Sequence, residues 1–193
     1  FNTLLEGRDY ILTQFSGVSH VTPDYPSVLA LGFSGIRNDV LKRMGRAQQA
    51  LETAQEETGR IPARKRAAKI RACREKVAFY EALRICADAA IGYGARWQRR
   101  LQGLAAEEPD PGRRAELSTL AGILGRVPAR PAETFHEAVQ SLFLAHVILH
   151  QESFQHGVSF GRLDQYLYPY YRKDLEAGRI TPLRAVEILG AFL

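Results

Sequence analysis

The sequence predicts a mainly α-helical chain, and two observations carry that prediction. Apolar residues recur at spacings of three and four, as along Ile70, Cys73, Val77, Tyr80 and Ala87, which is the period of one helix face. Helix-start signals stand just ahead of such runs, at Asp110-Pro111, at Thr134 with Glu137 three residues on, and at Thr181-Pro182. One stretch of about twenty residues, Gln151 to Tyr171, departs from the pattern. It gathers a carboxylate, amide and imidazole groups, two glycines, an Arg, an Asp and tyrosines between apolar elements, the usual raw material of a binding or catalytic surface.

Taken in order, residues 1–19 carry Leu4, Leu5, Tyr10, Ile11, Leu12 and Phe15 without a clean period, so a short helix or extended piece is expected there. Pro23 and Pro26 then restrict the backbone around His20-Val-Thr-Pro-Asp-Tyr25. A helix follows with Val28, Leu29, Leu31, Ile36, Val40, Leu41 and Met44 as its stripe. Gly32 and Gly35 interrupt it, each costing about 1 kcal/mol of helix propensity, so close packing or a break is expected at that point. Residues 46–59 read as a solvated helix end.

The segment 60–76 carries eight basic residues in seventeen positions. One reading is a polyanion-binding helix; the preferred one is the wet face of an amphipathic helix, because no aromatic residue or Gly-rich loop interleaves the charges. That helix continues through Phe79, Leu83, Ile85 and Ile91 to Leu101. Beyond the turn at 107–112, a helix buries Leu117, Leu120, Ala121 and Leu124, and Gly125 to Glu133 form a rigid connector. Thr134 and Glu137 form a capping box that starts an apolar helix with Phe135, Val139, Leu142, Phe143, Val147 and Leu149, expected to be buried on most sides. Asp174 to Ile180 read as an acidic-to-Gly turn, and the last helix presents Leu183, Val186, Leu189 and Phe192.

Composition sets the outer limits. With 46% hydrophobic residues, a mean hydropathy of -0.22 and no long apolar run, the chain can bury a core but offers no membrane span. A net charge of +5 is well short of what dedicated nucleic-acid proteins carry. Cys73 and Cys86 form no metal or redox spacing and suggest reduced thiols with packing roles in a cytoplasmic setting. The chain starts at Phe1 and stops within an apolar helical pattern, which reads as a piece of a longer polypeptide. No internal repeat or linker divides it, so residues 1–193 are expected to form one unit.

Three groups of residues carry candidate chemistry. His146 and His150 share a helix face at i,i+4, but without the Glu of a zinc-protease motif they read as hydrogen-bonded core histidines. His20 sits between a Gly-containing turn and a Pro-restricted loop, a place from which it can reach a ligand. The densest polar cluster is Glu152, His156, Ser159, Arg162 and Asp164, which reads equally as a site or as a buried ion-pair network of Arg162 with Asp164 or Glu152. No metal-ligand set is expected.

The run Glu152-Ser-Phe-Gln-His-Gly-Val-Ser-Phe-Gly-Arg-Leu-Asp-Gln-Tyr-Leu-Tyr-Pro-Tyr-Tyr171 resembles a signature of the glycyl radical enzymes, the pyruvate formate-lyase-like family, in its dehydratase and lyase branch. Asp174-Leu-Glu-Ala-Gly-Arg-Ile-Thr181 is similar to the family's DLxxGxIT, and Val127-Pro-Ala-Arg-Pro-Ala-Glu-Thr-Phe-His-Glu-Ala138 to its VPAxPPxTFxEA. Ala95-Arg-Trp97, Phe79-Tyr80 and His20-Val-Thr-Pro-Asp-Tyr25 fall in family order, so the resemblance spans nearly the whole chain.

The resemblance implies a segment of a ten-stranded α/β barrel: helical N-terminal wrapping plus an early barrel segment. It implies an enzyme that cleaves a C–O, C–N, C–S or C–C bond of a small substrate by radical chemistry. A glycyl radical, installed by a radical S-adenosylmethionine activating enzyme, is passed to a cysteine, and the full-length protein is a homodimer. The Cys loop and the glycyl loop of the family have no counterpart in this chain, so no catalytic residue is expected here and the isolated piece would be inactive. Its contribution is to one cavity wall, with Phe154, His156, Ser159 and His20 as substrate-binding candidates and Glu152, Arg162 and Asp164 as the structural network. Where many relatives read Asn-Gly-His-Ser, this chain has Phe154-Gln155-His156-Gly157, so the serine hydroxyl is absent at Gly157. Alternatives are a pyruvate formate-lyase-like acetyltransferase and a non-catalytic helical module binding a partner through its basic face.

Overall fold

The computed structural model describes residues 20–57, 62–152 and 157–192. The segment 1–19 and the candidates Phe154 and His156 therefore lie outside the described residues. Among the described residues six helices follow one another: α1 (Tyr25–Glu56), α2 (Ala63–Glu107), α3 (Pro111–Leu124), α4 (Phe135–Glu152), α5 (Leu163–Glu176) and α6 (Pro182–Phe192). Among the described residues the β-structure amounts to one isolated parallel bridge, Val21 to Val158.

α1 and α2 lie along each other as an antiparallel hairpin. Ion pairs Glu57–Lys69 at 2.8 Å and Arg37–Asp88 at 2.6 Å link them, the first between the end of α1 and the start of α2 and the second farther along. Ala47, Ala54, Ala87 and Ala90 are buried, and such small residues let long helices approach closely. The basic run takes the outer face at the start of α2, with Arg64, Lys65 and Arg74 exposed, as an amphipathic helix requires.

α1 breaks where the glycine pattern placed close packing or a break, and both occur. Gly32 has φ 62° and ψ 169°, a conformation nearly restricted to glycine. The break frees backbone groups from the helical ladder, and the 125–133 connector takes them up. Phe33 N–H donates to Pro128 O and Ser34 N–H to Ala129 O, both at 2.9 Å, while Leu29 O accepts from Ala132 N–H at 3.0 Å. On its other side the connector presses Pro128 against α2, where Gly94 leaves room: a β-carbon there would lie 2.6 Å from Pro128 Cδ. Two glycines in two helices thus seat one turn.

α4 is the hub, packed against α1, α2, α3, α5 and α6. Phe135, Ala138, Val139, Leu142 and Ala145 are buried around it with Tyr25, Leu29 and Val127. Its start follows half of the expected capping box. Thr134 Oγ1 accepts from Glu137 N–H at 3.2 Å, but Glu137 Oε2 accepts from Glu133 N–H at 2.7 Å instead of from the cap residue. The reason is Arg126, whose Nε lies 3.1 Å from Glu137 Oε1 and draws the carboxylate toward the connector.

Asp110 caps α3 through Arg113 N–H at 2.7 Å, and Thr181 caps α6 through Arg184 N–H at 3.2 Å, as their sequences predict. α6, however, buries Ala185 and Ile188 and leaves Leu183 and Val186 exposed, and Phe143 on α4 is 42% exposed, which corrects the expected burial. α6 is apolar on two faces, so periodicity alone does not choose which one packs. Asp174, expected to open a turn, lies inside α5 and is buried.

Candidate functional site

The two stretches flagged separately in the sequence, the loop at His20 and the segment after residue 156, meet in space. Val21 and Val158 form the parallel bridge, and Ser159 N–H donates to Val21 O at 2.9 Å. His20 reaches this position with φ 59°, a left-handed conformation that histidine adopts more readily than most residues. Gly157 at φ 74° and Gly161 at φ 67° turn the opposite stretch of the pair. A β-carbon on Gly157 would lie 2.9 Å from His20 Nδ1 and 3.2 Å from its Cε1, and one on Gly161 would lie 2.8 Å from Thr22 Cγ2.

Each stretch is anchored immediately after its polar part. Asp24 caps α1, its Oδ1 accepting from Ser27 N–H at 3.2 Å and its Oδ2 from the Ser27 hydroxyl at 2.6 Å. Tyr25 and Phe160 then point into an aromatic floor. Their rings are 5.5 Å apart, Phe160 stacks on His146 at 4.1 Å, and Phe192 closes the other side at 4.8 Å. The Tyr25 hydroxyl lies 2.7 Å from His146 Nδ1, and His146 Nε2 lies 3.0 Å from His150 Nε2. A run of donors that satisfies all of this has the tyrosine donating to His146 and His146 donating to His150. Tyr25 is fully buried, and burial pushes its hydroxyl up to about 12, with Tyr166 adding to the shift, so the phenol stays protonated.

The histidine pair thus differs from two core histidines. His146 is half-buried and bonded on both nitrogens, whereas His150 is exposed at the end of the run. Among the described residues no group of three His, Cys, Asp or Glu side chains is placed to hold a metal ion. Cys73 and Cys86 form no disulfide; the first is partly buried and the second is on the outer face of α2, which corrects the packing role expected of it.

Ser159 is exposed at the bridge, its hydroxyl oxygen accepting from Gly161 N–H at 3.0 Å. Arg162 and Asp164 form a bidentate pair at 2.9 and 2.7 Å, but with side chains 68% and 64% exposed. The pairing read from the sequence is therefore made at the surface and not in the interior. Direct hydrogen bonds to Arg162 hold the Asp164 carboxyl below its ordinary range. Glu152 ends α4. The region thus presents exposed polar groups from two distant stretches over an apolar floor. The described residues of the region are placed to bind and orient, and among them no nucleophile is paired with a base.

Away from this region, a groove of about 520 Å³ lies between α3, α4 and α6, lined in part by Leu120, His136, Phe143, Arg184 and Phe192. Burial lowers His136 below the ordinary imidazole value of 6.5, helped by Arg184 and opposed by Glu137. His146 is lowered by burial and then by His150. Both shifts favour the neutral ring in the fold, so the unfolded chain binds more protons as the pH falls through 6.5. Stability is expected to be fully present above that value and to decline below it. A thermal midpoint that is unchanged between about pH 7.5 and about pH 5.5 would count against both assignments, and a His146→Gln, His136→Gln double variant should flatten the decline.

Sequence reasoning missed the pairing of buried Tyr25 with half-buried His146, because nothing local links residues on two helices so far apart in the chain. It also missed that His20 and Gly157 are in contact range. The signal for the latter was present in the glycine itself, which leaves a gap opposite some neighbour.

Residues 8–193 match the family described as pyruvate formate lyase-like. The isethionate sulfite-lyase of Nitratidesulfovibrio vulgaris is 38% identical over 168 residues, 86% of this chain and 18% of that protein. The (2S)-3-sulfopropanediol dehydratase of Klebsiella oxytoca is 30% identical over 178 residues, 92% of this chain and 19% of that protein. The glycerol-bound B12-independent glycerol dehydratase from Clostridium butyricum superposes with a TM-score of 0.76 at 31% identity, over 94% of this chain and 20% of that one. The chain spans about a fifth of the length of the relatives it matches.

Proposed function

The chain belongs to the pyruvate formate lyase-like family, and from that premise we propose that it forms the helical N-terminal wrapping and one cavity wall of a longer glycyl radical enzyme of the dehydratase or lyase type. Residues 1–193 are then a partial domain of a ten-stranded α/β barrel. The enzyme cleaves a C–O, C–N, C–S or C–C bond in a small substrate, with the reactive cysteine and the glycyl radical supplied by parts of the polypeptide beyond this chain. A radical S-adenosylmethionine activating enzyme installs the radical; the full-length protein is a homodimer and works in the cytoplasm.

One observation supports the wall assignment above the others. The His20 loop and the Gly157–Gly161 segment, far apart in sequence, are joined by the Val21–Val158 bridge and expose polar groups over a shared aromatic floor. An oxygen-bearing substrate would be held there by Ser159 and His20, with Arg162 and Asp164 fixing the exit of the segment into α5. No helix among the described residues is long and apolar enough to cross a membrane.

The test uses the full-length polypeptide, incubated anaerobically with its activating enzyme and S-adenosylmethionine. Electron paramagnetic resonance is expected to show a glycyl radical. A panel of isethionate, (2S)-3-sulfopropanediol and glycerol, the compounds named for the relatives, then probes C–S and C–O cleavage. A full-length reading frame with neither a Cys loop nor a terminal glycyl motif, or a protein that accepts no radical, would refute the assignment.

A further inference from the structure

We propose that His146 and His150 form a two-histidine clamp for a hydrated divalent transition-metal ion that prefers right-angled coordination, with Ni(II) as the type case. The clamp is on the last two turns of α4, and it stands independently of the reading of the chain as a cavity wall. Residues four apart on a helix share one face, which brings the two imidazoles together. Their Nε2 atoms are 3.0 Å apart and their ring centroids 4.5 Å apart.

Two arrangements bring ring nitrogens this close: a hydrogen bond along the line between them, and lone pairs that converge on a third point. They differ in where the rings lie. A straight N–H···N bond of the same length holds the centroids about 5.3 Å apart. An ion about 2.1 Å from each nitrogen, with its two bonds about 90° apart, holds the nitrogens about 3.0 Å and the centroids about 4.6 Å apart. A tetrahedral angle opens those spacings to about 3.4 and about 5.3 Å. Of these three the observed distances match the right-angled case, so the rings converge at the angle that octahedral and square-planar ions use. Without an ion the pair shares a bent hydrogen bond.

His146 is already held in place for ligation. Its Nδ1 lies 2.7 Å from the Tyr25 hydroxyl, and Phe160 stacks on its ring at 4.1 Å. A partner at the outer nitrogen fixes the tautomer and orientation of a ligating imidazole. Ligation at Nε2 leaves the ring proton on Nδ1, which then donates to the Tyr25 oxygen and reverses the run of donors described above. His150 is exposed, so its tautomer exchanges through water, and water fills the coordination positions that the rings leave. Imidazole nitrogen together with water suits Ni(II) and Cu(II). Among the described residues no third side chain joins the pair, so the ion is held by chelation and crosslinks two successive turns of the helix beneath the aromatic floor.

The test titrates NiCl2 and, separately, ZnCl2 into the metal-stripped full-length protein, made without a histidine tag and before activation. The same titrations are run on His150→Ala and His146→Gln. Because His150 is exposed, its replacement leaves the fold intact, and circular dichroism checks both variants. Calorimetry is expected to show one Ni(II) in the parent whose affinity falls at least about tenfold in each variant, and weaker binding of Zn(II) at the same place. With Cu(II) as the probe, electron paramagnetic resonance should show two ring nitrogens in the parent and one in His150→Ala. Ni(II) binding that is the same in the parent and in His150→Ala, or Zn(II) held more tightly than Ni(II) at the site, would overturn the clamp. A protein that takes up the glycyl radical but binds no ion here sinks the clamp alone, whereas one that binds the ion but takes up no radical sinks only the functional reading.

Discussion

Gly32→Ala is expected to destabilise the fold by about 3–5 kcal/mol, the largest effect of any single methyl group added to this chain. Two costs combine. At φ 62° and ψ 169° the backbone is in a region that residues with a β-carbon hardly enter, which costs about 1–3 kcal/mol. The new carbon would also lie 2.5 Å from Ala129 O and from Arg130 C, both backbone atoms of the connector and neither able to swing aside. Moving the connector stretches the Phe33–Pro128 and Ser34–Ala129 bonds, each worth about 0.5–1.5 kcal/mol net.

The contrast with other glycines isolates the mechanism. Gly45, Gly103 and Gly122 are in helices, and nothing lies within 4 Å of where their β-carbons would be. Alanine at those positions should stabilise by about 0.5–1 kcal/mol. Urea unfolding of the four variants separates the two classes. Equal effects at Gly32 and Gly45 would show that the kink is a passive break and not a seat for the connector.

The same residue shows how much of the fold was legible in the sequence. Helix periodicity, the Asp110 and Thr181 caps and the interruption at Gly32 are local signals, and those features formed where their signals stood, whereas α5 begins inside the stretch read as departing from the helical pattern. The partner of Gly32 was not legible. That the freed N–H groups would be met by Pro128 and Ala129, and that Gly94 would open the far side for the same turn, depends on the chain returning after about ninety residues. The site divides in the same way. Ser159, Arg162 and Asp164 were flagged from composition, but their exposure was not, because a polar cluster has the same sequence whether it is buried or wet. The contact of His20 with Gly157 is a tertiary fact that only the parallel bridge creates.

Asp174 is the clearest case of a residue invisible to local reading, and its replacement is expected to cost nearly as much as the one at Gly32. It is 3% exposed, yet both carboxylate oxygens are used. Oδ1 accepts from Arg179 Nε and Nη2 at 2.9 and 2.7 Å, and Oδ2 accepts from Phe135 N–H at 2.7 Å. The second bond ties α5 to the N-terminus of α4, where unpaired N–H groups and the helix dipole favour a negative charge. Asp174→Ala removes one partner of a buried pair and leaves the Phe135 N–H without an acceptor, for about 3 kcal/mol. Asp174→Asn keeps the shape but turns one oxygen into a donor, so it must face either Arg179 or Phe135 N–H with the wrong polarity, for about 2 kcal/mol. Arg179→Ala should be mildest, about 1 kcal/mol, because its side chain is 46% exposed and water can take its place beside Oδ1. Denaturant midpoints should therefore rank Asp174→Ala as the most damaging change, Asp174→Asn as the next and Arg179→Ala as the least. That order distinguishes this arrangement from a simple surface ion pair, in which all three changes would be small and screened by salt. Because α4 carries the aromatic floor through His146, a loosened α5–α4 joint should also weaken the seat of Phe160 and hence the wall built on it.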